Sequence, residues 1–262
     1  MEFGILGPLR VCTDGREVPI QGRKQRTLLA ALLLAREGVL SDERLIALLW
    51  GQRPPATVNA QLYTYVSRLR MRLGAAVDLV RVPAGYRLGI GSAQFDAAEF
   101  HRLSRSGHEA LREGRPDRAA RLLRTALDLW RGPSLGGVTD QLREAETPQL
   151  DEARMAALES RLEAELALGE HRQMVAELTG LVARFPLRER LRAQWMTALY
   201  RCERQAEALA VYNEGRRLLS EELGVDPGPA LTATHRAVLN GGLAWEEPRH
   251  RAAVLPGAAG AP

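Results

Sequence analysis

Between Arg23 and Gly74 three apolar stripes of helical period follow one another with almost no loop between them, and this punctuation restricts the fold more than any other feature. Leu28, Leu29, Leu32 and Leu33 recur at the spacing of one helix face, and Gly38 ends that segment. Ser41 is a good N-cap for a second helix that carries Leu45, Ile46, Leu48 and Leu49 as far as Trp50. Gly51 and the pair Pro54-Pro55 stop it and start a third, Thr57 to Leu73, closed by Gly74. The flanks follow a different rule. Phe3–Leu6, Leu9–Cys12 and Glu17–Ile20, separated by Gly7-Pro8 and Asp14-Gly15, read as short strands joined by tight turns, and Leu79–Val82 with Tyr86–Leu88 around Pro83-Ala84-Gly85 reads as a small hairpin. Strands, three helices and a hairpin make an α+β unit of winged helix-turn-helix type.

From Phe95 onward the pattern is almost wholly helical, and two segments superpose at an offset of 34 residues, with Gly169 falling on Glu203, Met174 on Ala208 and Leu178 on Tyr212. That period is the one of tetratricopeptide repeats, and Gly114 to Trp130 fits the same helix pattern out of register. An irregular helical bundle is the alternative. After Asn240-Gly241-Gly242 the composition shifts to Ala, Pro and Gly, too little apolar area to offset the entropy of ordering it. The expected division is a winged-helix domain over 1–93, an all-α tetratricopeptide-like domain over 94–242 and a disordered tail over 243–262.

Several function classes are disfavoured. The longest apolar run, Leu28–Ala35, is eight residues, against the roughly 20 of a membrane helix, and no basic leader precedes an apolar stretch, so a cytoplasmic, nucleoid-associated protein without membrane contact is expected. Cys12 and Cys202 stand far apart and outside any zinc spacing, and His101, His108, His171, His235 and His250 form no paired metal motif. Gly132–Gly137 has too few of the marks of a phosphate-binding loop to be more than a connection between helices, because the Lys-Ser/Thr ending is missing. The expectation is no catalytic residue, no metal and no cofactor.

Charge is unevenly spread. Residues 1–93 hold 13 Lys+Arg against 7 Asp+Glu, a surplus of +6, whereas 94–242 hold 21 against 23, or −2. Placed at about 100° per residue, Val58, Leu62, Tyr65, Val66, Leu69 and Leu73 form one narrow stripe of the third helix. The opposite face carries Thr57, Ala60, Gln61, Thr64, Arg68 and Met71, flanked by Tyr63, Ser67, Arg70 and Arg72, and no acidic residue occurs from Val58 to Leu73. Short side chains let a helix approach a groove floor, Gln and Arg can read base edges, and Tyr, Ser and Arg at the flanks can hold phosphates. Thr57, Ala60, Gln61, Thr64 and Arg68 are therefore the base-reading candidates, and Tyr63, Ser67, Arg70 and Arg72 the backbone candidates. Arg81 and Arg87 of the hairpin would serve as a wing, and Arg23, Lys24 and Arg26 add charge where unpaired helix N–H groups favour a phosphate. An ordinary surface helix and a solvated basic loop are the competing readings of these two segments.

The run RTLLAALLLAREGVLSDERLIALLWGQRPPATVNAQLYTYVSRLRMRLG, followed by VPAGYRL, resembles the OmpR-like winged helix of the Streptomyces antibiotic regulatory proteins. FDAAEF, GEHRQMVAELTGLVARFPLRERL and QAEALAVYNEGRRLLSEELGVDPGPAL resemble their bacterial transcriptional activator domain, and the likeness covers roughly Met1 to Gly242. With neither a receiver domain before the winged helix nor a nucleotide-binding domain or sensor repeats after the activator domain, the chain is similar to the small members of that family. The resemblance implies a transcriptional activator of a secondary-metabolite cluster. It would bind direct repeats in duplex DNA near the promoter −35 element as a homodimer, at least on DNA. It would recruit RNA polymerase holoenzyme through the σ factor or through the C-terminal domain of the polymerase α chain. It also gives Trp50 a phosphate contact, against a plain role as a core plug, and places Met71 where relatives often carry arginine. A repressor or regulator with a small-molecule site in the helical domain, and a repeat scaffold that binds protein, are the rival functional classes.

Overall fold

The computed structural model describes residues 1–243, so the tail expected over 243–262 lies outside the described residues from 244 onward. The chain forms two compact units, the first spanning 1–164 and the second beginning at Glu165.

In the first unit β1 (Glu2–Gly4), β2 (Arg10–Thr13) and β3 (Arg16–Glu17) make an antiparallel meander. Asp14 and Gly15 turn it with φ of 51° and 75°, the left-handed pair that a two-residue hairpin requires. Three helices follow, α1 (Arg23–Leu34), α2 (Asp42–Trp50) and α3 (Val58–Leu73), and then the hairpin of β4 (Asp78–Val82) and β5 (Gly85–Gly89). The Ser41 hydroxyl accepts a hydrogen bond from the Arg44 amide at 3.2 Å, with Asp42 and Glu43 in the first turn, so α2 is capped as its sequence predicts. Two boundaries differ from the sequence reading. β3 stops at Glu17 instead of running to Ile20, since Pro19 has no N–H to offer a ladder. α1 stops at Leu34 instead of Gly38, because Arg36 and Glu37 turn left-handed at φ 47° and 65°.

α1 is buried on more than one face: Gln25 and every residue from Thr27 to Leu33 are inaccessible. Such a helix needs neighbours on all sides. α2, α3 and β5 supply some of them, and a later segment supplies another, where the Thr139 amide donates to the Thr27 hydroxyl at 2.8 Å and the Thr139 hydroxyl donates to the Leu48 carbonyl at 2.7 Å. β6 (Gln94–Phe95), a strand in a region expected to be helical, runs parallel to β1, giving the sheet order β3-β2-β1-β6. Asp96 then opens α4 (Asp96–Arg112) and accepts from the Ile5 and Leu6 amides at 2.9 and 3.1 Å.

α5 (Pro116–Asp128) packs on α4 so closely that a Cβ at Gly107 would stand 2.6 Å from the Leu123 side chain. Residues 131–136 are the interhelical connection their sequence suggests, and they also dock on the N-terminal strand segment. Arg131 and Leu135 amides donate to the Leu6 and Ile5 carbonyls at 2.7 and 2.9 Å, and Leu9 donates to Gly136 at 3.0 Å. The first unit thereby continues past Ala93 into α6 (Asp140–Ala167).

The second unit contains α7 (His171–Arg184), α8 (Glu189–Arg201), α9 (Gln205–Leu223) and α10 (Pro229–Leu239), with α8 against each of the others. Met196, Leu199, Ala208, Val211, Leu231 and Val238 form its core. Gly169 (φ 84°) and Glu203 (φ 64°), superposed in the sequence, both turn left-handed two residues before the next helix, and Gly114 (φ 68°) does the same before α5. The repeated helical pattern is thus a repeated turn as well, and the fold is a winged helix followed by a tetratricopeptide-like helical region.

The root of the wing is fastened to the chain before α2. Leu40 and Tyr86 exchange two backbone hydrogen bonds of 2.9 Å, and at Gly85 (φ 149°) a Cβ would lie 1.9 Å from the Leu40 carbonyl oxygen. Gly85→Ala is expected to lose about 1–3 kcal/mol from backbone strain alone, and more from the collision. Gly180→Ala, with open space around the added carbon inside α7, should be neutral or stabilising. Urea melts of both variants read the difference.

Candidate nucleic-acid interface

α3 divides along the line its spacing predicts. Leu62, Val66, Leu69 and Leu73 are buried, and Tyr65 stacks on Trp50 with ring centroids 6.0 Å apart and planes at 22°. Each buried leucine is worth about 1.5–3 kcal/mol, enough to fix the helix rotationally. The opposite face is then committed to solvent. Thr57, Ala60, Thr64 and Arg68 are exposed there, and Gln61 is half-buried, its amide donating to the Thr57 hydroxyl at 3.0 Å. The Thr64 hydroxyl donates to the Ala60 carbonyl at 2.8 Å. All five base-reading candidates therefore share one surface. Met71 and Tyr63, at 75% and 63%, are among the most exposed large apolar side chains of the described residues.

The arginines separate into engaged and open. Among the described residues Arg68 and Arg87 have neither a hydrogen-bond nor an ion-pair partner for their guanidinium groups. Arg70 donates through Nε to the Leu79 carbonyl of β4 at 2.7 Å, and Arg72 donates to the Pro19 carbonyl at 3.2 Å, so both brace α3 while their remaining N–H groups stay exposed. Arg81 pairs with Asp42 and lies 4.7 Å over the Tyr86 ring, and the hydrogen bond it donates to Asp42 holds its pKa above the usual arginine value. That pair is open to solvent, and such pairs are readily exchanged for another anion. Of the two wing candidates Arg87 is the one with its charge uncommitted.

Trp50 packs into the domain on one side and meets a cation on the other. It is half-buried against Tyr65, and the Lys24 ammonium sits 4.4 Å from its ring centre, partial burial lowering the lysine pKa. Arg23 and Arg26 are turned elsewhere. Arg23 donates to the Val138 carbonyl at 2.6 Å and to Asp140 at 2.8 Å, and Arg26 donates to the Gly137 carbonyl at 2.9 Å. The start of α1 directs these two charges to the segment that caps the core. Ser67 is half-buried on the flank of α3. Two exposed side chains outside the sequence-based set belong with this surface: Arg53 in the turn before α3 and Asn59 in its first turn. Position at 100° per residue puts Asn59 beside Arg70, a signal available from the sequence.

Chemically this is an acid-free helix face with short side chains in the middle, uncommitted positive charge at Arg68 and Arg87, and a hairpin beside it. It can approach a polyanion closely and pair with it in two places.

Comparison with known proteins gives the same picture from another side. Residues 15–88 match the family described as "Transcriptional regulatory protein, C terminal", and 95–239 match the "Bacterial transcriptional activator domain". Regulatory protein AfsR of Streptomyces coelicolor is 44% identical over 248 residues, 94% of this chain, which spans only 25% of that protein. Regulatory protein DnrI of Streptomyces peucetius is 36% identical, with 91% of this chain and 92% of DnrI covered. Among solved structures, Mycobacterium tuberculosis EmbR in complex with a low-affinity phosphopeptide superposes with a TM-score of 0.87 at 38% identity, covering 92% of this chain and 65% of that one.

If Arg68 reads a base, Arg68→Ala should weaken binding to the specific duplex by about 1–3 kcal/mol and leave random duplex nearly unchanged. Arg72→Ala should weaken both alike and reduce the slope of log K against log salt by about one. Fluorescence anisotropy across a salt series checks this, and equal losses on both duplexes for Arg68 would remove it from base readout.

Proposed function

The chain belongs to the Streptomyces antibiotic regulatory protein family of transcriptional regulators, and from that premise we propose that it is a sequence-specific activator of a secondary-metabolite gene cluster. The reading rests on the exposed, acid-free face of α3. In it, Thr57, Ala60, Gln61, Thr64 and Arg68 enter the major groove, Tyr63, Ser67, Arg70 and Arg72 hold the flanking phosphates, and Arg87 of the wing reaches the backbone beside them. Arg81 exchanges Asp42 for phosphate, and Trp50 with Lys24 makes a further backbone contact. Residues 1–93 carry the DNA contacts, and 94–242 pair two protomers and hold polymerase.

Regulators of this family act by binding and perform no catalytic step. Affinity comes mostly from neutralised phosphates and so falls with salt, while selectivity comes from a few α3 side chains. Two protomers on direct repeats would bring the activator regions next to the −35 element, where the σ factor is reached. No helix among the described residues is long and apolar enough to cross a membrane.

Footprinting on the genomic fragment upstream of candidate cluster genes should protect two short repeats in the same orientation abutting −35. Transcription from that fragment with purified holoenzyme should rise on adding the protein. Repression, or a protected inverted repeat, would overturn the proposal.

A further inference from the structure

Away from the α3 face, one cavity combines an apolar wall with a surplus of uncommitted positive charge. It has a volume of about 630 Å³ and is bounded by the end of α1, by α4 and by the first half of α6, all within the first compact unit. Leu34, Leu150 and Ala153 contribute apolar wall, over the fully buried ring of Phe100. Arg36, His101, Arg105, His108 and Arg112 supply the polar lining against one carboxylate, Glu146, which is 3.8 Å from Arg44. Among the described residues none of Arg36, Arg105 and Arg112 has an ion-pair partner. Ser104 borders the same space with its hydroxyl oxygen fully buried.

Together these features suit a guest that is apolar on one side and anionic on the other. Three open guanidinium groups around one space repel one another, and an anion between them relieves that repulsion. The field registers on His101, whose pKa lies below its ordinary value through burial first and then through the charges of Arg36 and Arg105. The volume falls within the range that encloses a small organic molecule.

We propose that this cavity binds an amphipathic organic anion, its apolar body against Leu34, Leu150 and Ala153 and its acidic group between Arg36 and Arg105. A purely inorganic anion would leave the apolar wall unused, and a neutral apolar molecule would leave the arginines unpaired. The site stands apart from the DNA-binding reading, and its test contains no DNA.

The probe is 8-anilinonaphthalene-1-sulfonate, titrated into the full chain by calorimetry and fluorescence. One equivalent should bind, roughly tenfold or more weakly to the Arg36→Ala/Arg105→Ala double variant, since each lost charge-assisted hydrogen bond is a large share of such an affinity. Ala153→Phe, which fills the space from the wall and keeps both arginines, should abolish that equivalent. Circular dichroism melts verify that both variants fold, and both replace residues outside the DNA-binding set. N-phenyl-1-naphthylamine, the same rings without the sulfonate, should bind far more weakly, and inorganic phosphate should not compete at millimolar concentration. Unchanged affinity in either variant, equal affinity for the neutral analogue, or displacement by phosphate alone would each overturn the assignment.

Discussion

The burial of α1 is the constraint on which the rest of the first unit depends. A helix whose residues from Thr27 to Leu33 are all inaccessible cannot stand as the outer layer of anything, so α2, α3 and the wing must close on it, and a later segment with them. That segment is fixed by two hydroxyls. Thr27 donates to the Arg23 carbonyl at 2.9 Å and accepts from the Thr139 amide, while Thr139 passes its own hydroxyl hydrogen to the Leu48 carbonyl. An orphaned buried N–H costs about 1–3 kcal/mol, whereas this arrangement leaves neither the amide nor either hydroxyl unpaired. Polar groups here decide which segment lies over α1, because apolar burial alone would accept any leucine-rich neighbour.

The same contact explains why basic residues close together in sequence end up with unequal roles. Arg23 and Arg26 lie at the start of the helix that must be covered, and the covering segment presents carbonyls and Asp140 to them. Arg68 and Arg87 lie on exposed surfaces, and among the described residues no hydrogen bond or ion pair engages their guanidinium groups. An arginine already bonded to a carbonyl gains less from a phosphate than one bonded only to water, so the count of positive charge overstates the interface, and the distribution of internal acceptors corrects it.

Local signals carried most of what could be read beforehand. The α3 stripe, the Ser41 cap, the Asp14-Gly15 turn and the hairpin around Pro83-Ala84 each need only neighbouring residues to declare themselves, and so does the turn at Gly169 repeated at Glu203. Pairings across long separations were not legible. The two-residue strand at Gln94–Phe95 is too short to alternate, and its partner β1 lies at the far end of the domain. Asp96 meets Ile5 across 91 positions and Thr139 meets Thr27 across 112, distances at which no periodicity survives. The division at 93/94 follows composition, whereas compactness divides the chain at 164/165, since those long-range bonds tie the winged helix to the helices after it. For the interface, the face of α3 could be read from angles, but the diversion of Arg23 and Arg26 could not.

The cavity and the wing share one short piece of chain. α1 ends at Leu34, Arg36 and Glu37 turn left-handed, and three residues later Leu40 pairs with Tyr86 at the root of the hairpin. Backbone held at positive φ in non-glycine residues is costly and persists only where its surroundings enforce it, so the backbone at Arg36 is held by the fold. An anion drawn to Arg36 therefore sits at the segment that leads to the root of the wing. Such an occupant can change DNA affinity only to the extent that it prefers one placement of that segment over another, and a tightly bound guest without that preference would leave the wing where it is.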